Sequence, residues 1–149
     1  LSSSAFTIGF WANWNHRASG WDYNTMLALE GFTDKFVIGA GAEYEDDTDK
    51  LIVVINNRLY ENIGSGRNDS NWHHILVTNA TGVLKVYIDG ISRGMVNSGA
   101  KGWTGTANRI GSSASSNQIN INGTIDELRI YNRSMNASEV QQQYRSNLK

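Results

Sequence analysis

From Trp72 to Val96, apolar and polar residues alternate in three runs separated by two turn signals, the pattern of an antiparallel meander. In the first run His73, Ile75 and Val77 alternate with His74, Leu76 and Thr78, and alternate side chains of a strand point to opposite faces. Asn79-Ala80-Thr81-Gly82 then turns the chain, with Gly82 suited to positive φ. In the next run Leu84, Val86 and Ile88 share one face, and Lys85, Tyr87 and Asp89 the other. Asp89-Gly90 signals a tight hairpin, because a type I′ turn needs φ > 0 at both central residues. The pattern predicts a half-buried sheet whose less apolar face, carrying Lys85 and Tyr87, offers the floor of a groove.

The rest of the chain follows the same grammar. Phe6, Ile8 and Phe10 alternate with Thr7, Gly9 and Trp11, a strand with bulky groups on both faces. Asn13 to Tyr23 fits no period and reads as a long loop. Met26–Glu30, Lys35–Ala42 and Leu51–Asn56 are strands, and Leu59–Ile63 is the hairpin partner of the last. Ser65 to Asn71 is a polar loop. Ala107–Gly111 and Gln118–Ile121 are short strands around a serine-rich loop, and Ile125, Leu128 and Ile130 with Tyr131 mark an inner strand. One helix is predicted, at the end: Asn136 caps it, Glu139 sits at the capping-box position, and Val140, Tyr144 and Leu148 form its apolar stripe. About ten strands spaced as turn-linked runs, with one terminal helix, predict an all-β, two-sheet antiparallel jelly-roll sandwich in a single domain over residues 1–149.

Composition narrows the function classes. A net charge of −1 leaves no electrostatic footprint for nucleic acid or an anionic membrane. The longest apolar run, Leu51–Ile55, falls far short of the roughly 20 residues that span a bilayer. With no cysteine there is neither a disulfide framework nor a thiolate metal site. Five Asn-X-Ser/Thr sequons, at Asn68, Asn79, Asn122, Asn132 and Asn136, fall in predicted turns or strand ends. They favour a secreted, glycosylated surface protein, and Asn79 reads as a glycan-bearing tip.

Phe6-Thr7-Ile8-Gly9-Phe10-Trp11, Trp72-His73-His74-Ile75-Leu76-Val77-Thr78, Tyr87-Ile88-Asp89-Gly90, Asn108-Arg109-Ile110-Gly111 and Gly123-Thr124-Ile125-Asp126-Glu127-Leu128-Arg129-Ile130-Tyr131-Asn132-Arg133 occur in that order. With the helix from Asn136, this ordered set resembles the laminin-G-like jelly-roll domains of the concanavalin A-like lectin/glucanase superfamily. The resemblance implies two sheets packed face to face and an extracellular role in binding glycans or proteins, in many members with calcium. It also implies a further strand before Phe6 that pairs with the last strand. Only five residues precede Phe6. The expectation is therefore an open edge at Ile125–Tyr131, filled by another segment or by a neighbouring subunit, in a fragment or an assembly subunit.

Three sets of residues are candidates for chemistry. Trp14, Trp21, Tyr23 and Trp103 sit among polar residues, and indole and phenol rings stack on the apolar faces of sugars. Each loop tryptophan equally suits the bland role of covering a sandwich end. The acidic run Glu43 to Asp49 offers calcium the oxygen ligands Glu45, Asp46, Asp47 and Asp49, with Asp126 as a separate candidate. A solvated acidic turn is the plainer reading. Catalysis by paired carboxylates, as in glucanases of this fold, is disfavoured because the order of Glu and Asp differs. His73 and His74 point to opposite faces and have no acidic residue following at a spacing that would orient either, so packing roles are expected. The sequence thus supports a non-catalytic adhesion or binding module for glycans or surface proteins. A structural subunit of a surface or filament assembly stands second, and a glycoside hydrolase is the weakest reading.

Overall fold

The computed structural model describes residues 5–15, 23–30, 35–41, 51–55, 58–60, 69–97, 107–112 and 118–148. Eleven strands and one helix lie among them: β1 (Ala5–Trp14), β2 (Tyr23–Glu30), β3 (Lys35–Gly41), β4 (Leu51–Ile55), β5 (Arg58–Tyr60), β6 (His73–Ala80), β7 (Val83–Ile88), β8 (Ile91–Asn97), β9 (Ala107–Ile110), β10 (Gln118–Asn120), β11 (Gly123–Tyr131) and α1 (Ala137–Ser146). They form a five-stranded sheet ordered β11-β1-β6-β7-β8 and a six-stranded sheet ordered β10-β2-β3-β4-β5, with β9 also on β2. Two sheets and one C-terminal helix are the element content of a jelly-roll sandwich, as predicted.

The chain divides into two compact units that follow the sheets rather than the sequence. One takes β1 as far as Ala12, then β6–β8, β11 from Ile125, and α1; the other takes the end of β1, then β2–β5, β9 and β10.

In the first unit the meander forms with the face groupings its pattern predicts, while β6 runs on through Asn79 and Ala80, which the sequence reading placed in the turn. Ile75 pairs with Ile88, Val77 with Val86 and Asn79 with Leu84, while β1 lies antiparallel on the other side of β6 with Ile8 opposite Val77. Both hairpin turns have two left-handed residues, Thr81 and Gly82 at φ 49° and 90°, Asp89 and Gly90 at 54° and 73°. That is the backbone a type I′ turn requires. Phe6, Ile8, Phe10, Ile75, Val77, Leu84, Val86 and Ile88 share one face by this register, and all are buried.

The opposite face is buried too, which the pattern did not predict. Leu76 and Tyr87 cluster with Met135 and Val140, and Tyr131 packs against them. The helix is set by a complete capping box: Asn136 Oδ1 accepts from the Glu139 N–H at 3.0 Å, and Glu139 Oε2 accepts from the Asn136 N–H at 2.9 Å. Thr7 Oγ1 holds the segment before it, donating to the Arg133 carbonyl at 2.8 Å and accepting from the Met135 N–H at 2.9 Å. Leu148 lies beyond the helix end and is 61% exposed, so the apolar stripe stops at Tyr144.

Among the described residues β11 pairs on one side alone, at the edge of its sheet and not inside it. Ile130 is 48% exposed, and Glu127 takes the left-handed φ of 53° within the strand. In the second unit β2 is the hub. Its first half pairs in parallel with β10 and its second half antiparallel with β9, around an irregularity between Thr25 and Leu27. Ala28, Val37 and Val54 form a buried cluster across β2, β3 and β4.

Candidate functional site

Strand register brings several ends of the six-stranded sheet together. Tyr23, the first residue of β2, pairs with Gly41, the last of β3, and with Gln118, the first of β10. Ala40 pairs with Leu51, where β4 begins. The starts of β2, β4 and β10 and the end of β3 therefore lie at one end of the six-stranded sheet; in sequence the three starts follow 15–22, 42–50 and 111–117, and the end of β3 precedes 42–50. Trp21 belongs to the first and the acidic run to the second. Trp21, Trp103, Glu45, Asp46, Asp47, Asp49 and Asn68 lie outside the described residues, while Tyr23 is placed by its backbone at the start of β2.

Other candidates are placed in full. Trp14 is not in a loop: it ends β1 and is 2% exposed. It is held there by close backbone approach, since a Cβ on Gly123 would lie 2.2 Å from the Asn13 carbonyl oxygen and 2.7 Å from Trp14 Cα. The Asn15 N–H donates to the Asn122 carbonyl, and Asn13 Nδ2 to the Ser70 carbonyl at 2.6 Å, closing the same corner. Tyr87 is core beneath α1 rather than the floor of an open groove, because the helix covers the face that the strand pattern left half polar. Lys85 on the same strand is exposed.

Asp126 is exposed, and its Oδ1 accepts from the Glu127 N–H at 2.8 Å. No group of three His, Cys, Asp or Glu able to hold a metal ion occurs among the described residues. Of the sequons, Asn122, Asn132 and Asn136 are exposed. Asn79 is fully buried, with its Oδ1 accepting from the Gly82 N–H at 3.2 Å. It supports the turn from inside and is not a glycan-bearing tip.

The histidines are better organised than their spacing implied. His73 Nδ1 lies 2.9 Å from Asp89 Oδ2, and Asp89 Oδ1 accepts from the His74 N–H at 3.0 Å. Asp89 thus orients the His73 ring, contrary to the reading that no acidic residue did, and holds the His74 backbone but not its ring. The signal was present: a two-residue turn at Asp89-Gly90 with Ile75 opposite Ile88 returns residue 89 to residues 73 and 74. His74 is 3% exposed and stacks with Trp11 at 5.2 Å and Tyr144 at 6.1 Å between ring centroids. Its Nδ1 has no hydrogen-bond partner. Burial lowers its pKa to about 4; Asp89 pulls the other way and Arg129 adds to the lowering. No helix among the described residues is long and apolar enough to cross a membrane.

Several solved structures are similar to this chain. Domain 4 of an extracellular GH43 arabinanase from Geobacillus stearothermophilus, in complex with arabinotriose, has a TM-score of 0.70 at 19% identity, over 95% of this chain and 67% of its own. A putative carbohydrate binding protein from Bacteroides ovatus has a TM-score of 0.73 at 18% identity, over 93% and 40%. Botulinum neurotoxin type C, whose cell entry depends on two ganglioside molecules, gives 0.64 at 19%, over 95% and 35%. The chain thus spans about two thirds of the first and well under half of the others, and at such identities the likeness is one of fold. No curated protein sequence matches. The laminin-G model described as concanavalin A-like lectin/glucanases superfamily matches residues 1–141. The chain belongs to the concanavalin A-like lectin/glucanases superfamily.

Proposed function

We propose that this chain is a non-catalytic glycan-binding module working outside the cell or at its surface. The observation that carries the reading is the meeting of strand ends at Tyr23, Gly41, Gln118 and Leu51. The sequence segments adjoining these ends are rich in aromatic, acidic and hydroxyl side chains. Such a rim supplies what sugar recognition needs, aromatic faces for C–H surfaces and polar groups for hydroxyls. Trp21 and Tyr23 are the proposed stacking residues there, with Trp103 as a further contact. The acidic run is the proposed holder of calcium, through Glu45, Asp46, Asp47 and Asp49. The arabinotriose-bound and ganglioside-dependent neighbours support a carbohydrate partner.

A glycan array probed with the protein, with and without EDTA, tests this. A selective signal is expected, reduced roughly fivefold to tenfold in Trp21→Ala by loss of one stacking contact. EDTA sensitivity would place calcium in the site. A folded protein silent across the array, or a Trp21→Ala variant that binds as well, would count against the reading.

The edge position of β11 favours a second reading, a structural subunit joined to its neighbours by strand addition. Glu127 is left-handed and its N–H is taken by Asp126, so addition would be confined to the half from Leu128 to Tyr131. Sedimentation over a hundredfold concentration range would show association, and Ile130→Lys should suppress it. The exposed sequons Asn122, Asn132 and Asn136 are the proposed glycan carriers in either reading.

A further inference from the structure

We propose that α1 is an acid-released latch: a proton on the buried His74 ring drives the helix off the sheet and uncovers Leu76 and Tyr87. The geometry is that of a titratable ring roofed by a detachable element. Below, His74 rests against Gly9 of β1, where a Cβ would come within 3.8 Å of its Nε2. To the side it meets the indole of Trp11, and above it the ring of Tyr144, which itself lies 5.9 Å from Trp11. Burial under these rings is what favours a neutral imidazole: 3% exposure leaves almost no water to hydrate a charged one.

The charged groups around the ring offer a proton little help. On the hairpin, Asp89 has both carboxylate oxygens engaged, Oδ1 with the His74 N–H and Oδ2 with the His73 ring. On β11, Arg129 adds positive charge. From α1 the ring of Tyr144 meets it, and from β1 Trp11 and Gly9, none of them anionic. Lowering of the His74 pKa to about 4 agrees with this surrounding. A proton is therefore accommodated by exposing the ring, and the roof is the part that can leave.

The roof is lightly tied. α1 is 10 residues long, and helices of that length are marginal in water without packing. Its ties among the described residues are Val140, the ring of Tyr144, the Gln141 Nε2–H donated to the Gly90 carbonyl, a long 3.4 Å bond from Arg129 of β11 to the C-cap Asn147, and the exposed Arg133–Glu139 ion pair. β6, by contrast, is paired on both sides by β1 and β7. Local opening of the helix is the low-energy route, and the strands beneath stay paired.

Hydrogen exchange read by mass spectrometry on the whole chain tests the latch, with rates corrected for intrinsic pH dependence. Protection of residues 137–146 should fall between pH 7 and pH 4.5 by on the order of a hundredfold, up to tenfold per pH unit below about 6.5. Peptides from β6 and β7 should keep theirs. In His74→Phe, which keeps a stacked ring but takes no proton, the helix should show no such loss. Should that variant not fold, the imidazole 15N shifts of His74 in the unaltered protein serve instead, and they should titrate in step with helix opening. Helix protection that is independent of pH, that falls equally in His74→Phe, or that is lost together with β6 and β7 would overturn the proposal.

Discussion

Asn79 shows how much a single side chain's direction decides. The sequence marked it as a sequon in a turn, which is correct as far as the chain path goes. Its side chain, however, points inward and bonds the Gly82 N–H. Peptide mass spectrometry of material from a glycosylating host should therefore find Asn79 unmodified, even where Asn122 or Asn132 carries a glycan. Asn79→Ala should destabilise the fold by about 1–3 kcal/mol, because the buried turn N–H then loses its acceptor; denaturant midpoints would measure it. Asp89 makes a similar point with the opposite outcome. Its place in the hairpin was legible, but the use of both oxygens depends on strand twist and side-chain rotamers that no spacing rule contains.

At the level of elements, the sequence was a good guide to what forms and a poor one to what covers what. The meander's face groupings, both left-handed turns and the helix cap follow from alternation, Thr81-Gly82, Asp89-Gly90 and the Asn136/Glu139 spacing. The reach of β1 to Trp14 was missed, since Asn13 and Trp14 look like loop residues and are held in place by the distant Gly123. Burial of the face with Leu76 and Tyr87 was missed because His74 and Lys85 lower its apolar content, and the covering helix comes some 50 residues later. The cap offers a direct check on that cover. Asn136→Ala removes the acceptor for the Glu139 N–H and should cost about 1 kcal/mol, seen as a lower urea midpoint and weaker helix protection. Glu139 responds in the same sense to acid. The Asn136 N–H holds its carboxyl below the usual range, with Arg133 contributing, so its share of the cap is present at neutral pH and lost as pH falls through that lowered value.

For the whole molecule, neither compact unit is a continuous stretch of chain. The first draws on three separated segments, and its sheet places β1, from the beginning, between β6 and β11. A fragment of residues 72–149 retains β6–β8, β11 and α1 yet lacks the strand that joins them. It should give the poorly dispersed amide spectrum of an unfolded chain, and adding a peptide of residues 1–15 should restore dispersion at least in part. A well-dispersed spectrum from the fragment alone would contradict the sheet order. The candidate rim was legible only as a list of residue types in loops; its adjacency came from pairings such as Tyr23 with Gln118, a parallel contact that local pattern does not specify.

The bonds of Thr7 to Arg133 and Met135 have a consequence for how the protein is made. They span 126 and 128 residues, so an early strand waits for nearly the whole chain before its surroundings are complete. During synthesis β1 can meet β6 and the meander as soon as residue 97 emerges. The face bearing Trp11, His74, Leu76 and Tyr87 then stays wet until α1 arrives. Such non-local closure slows folding and leaves apolar surface open to wrong partners meanwhile. Nascent chains stalled with residue 120 exposed should accordingly bind a hydrophobic dye or a chaperone far more than chains in which residues 137–146 have also emerged.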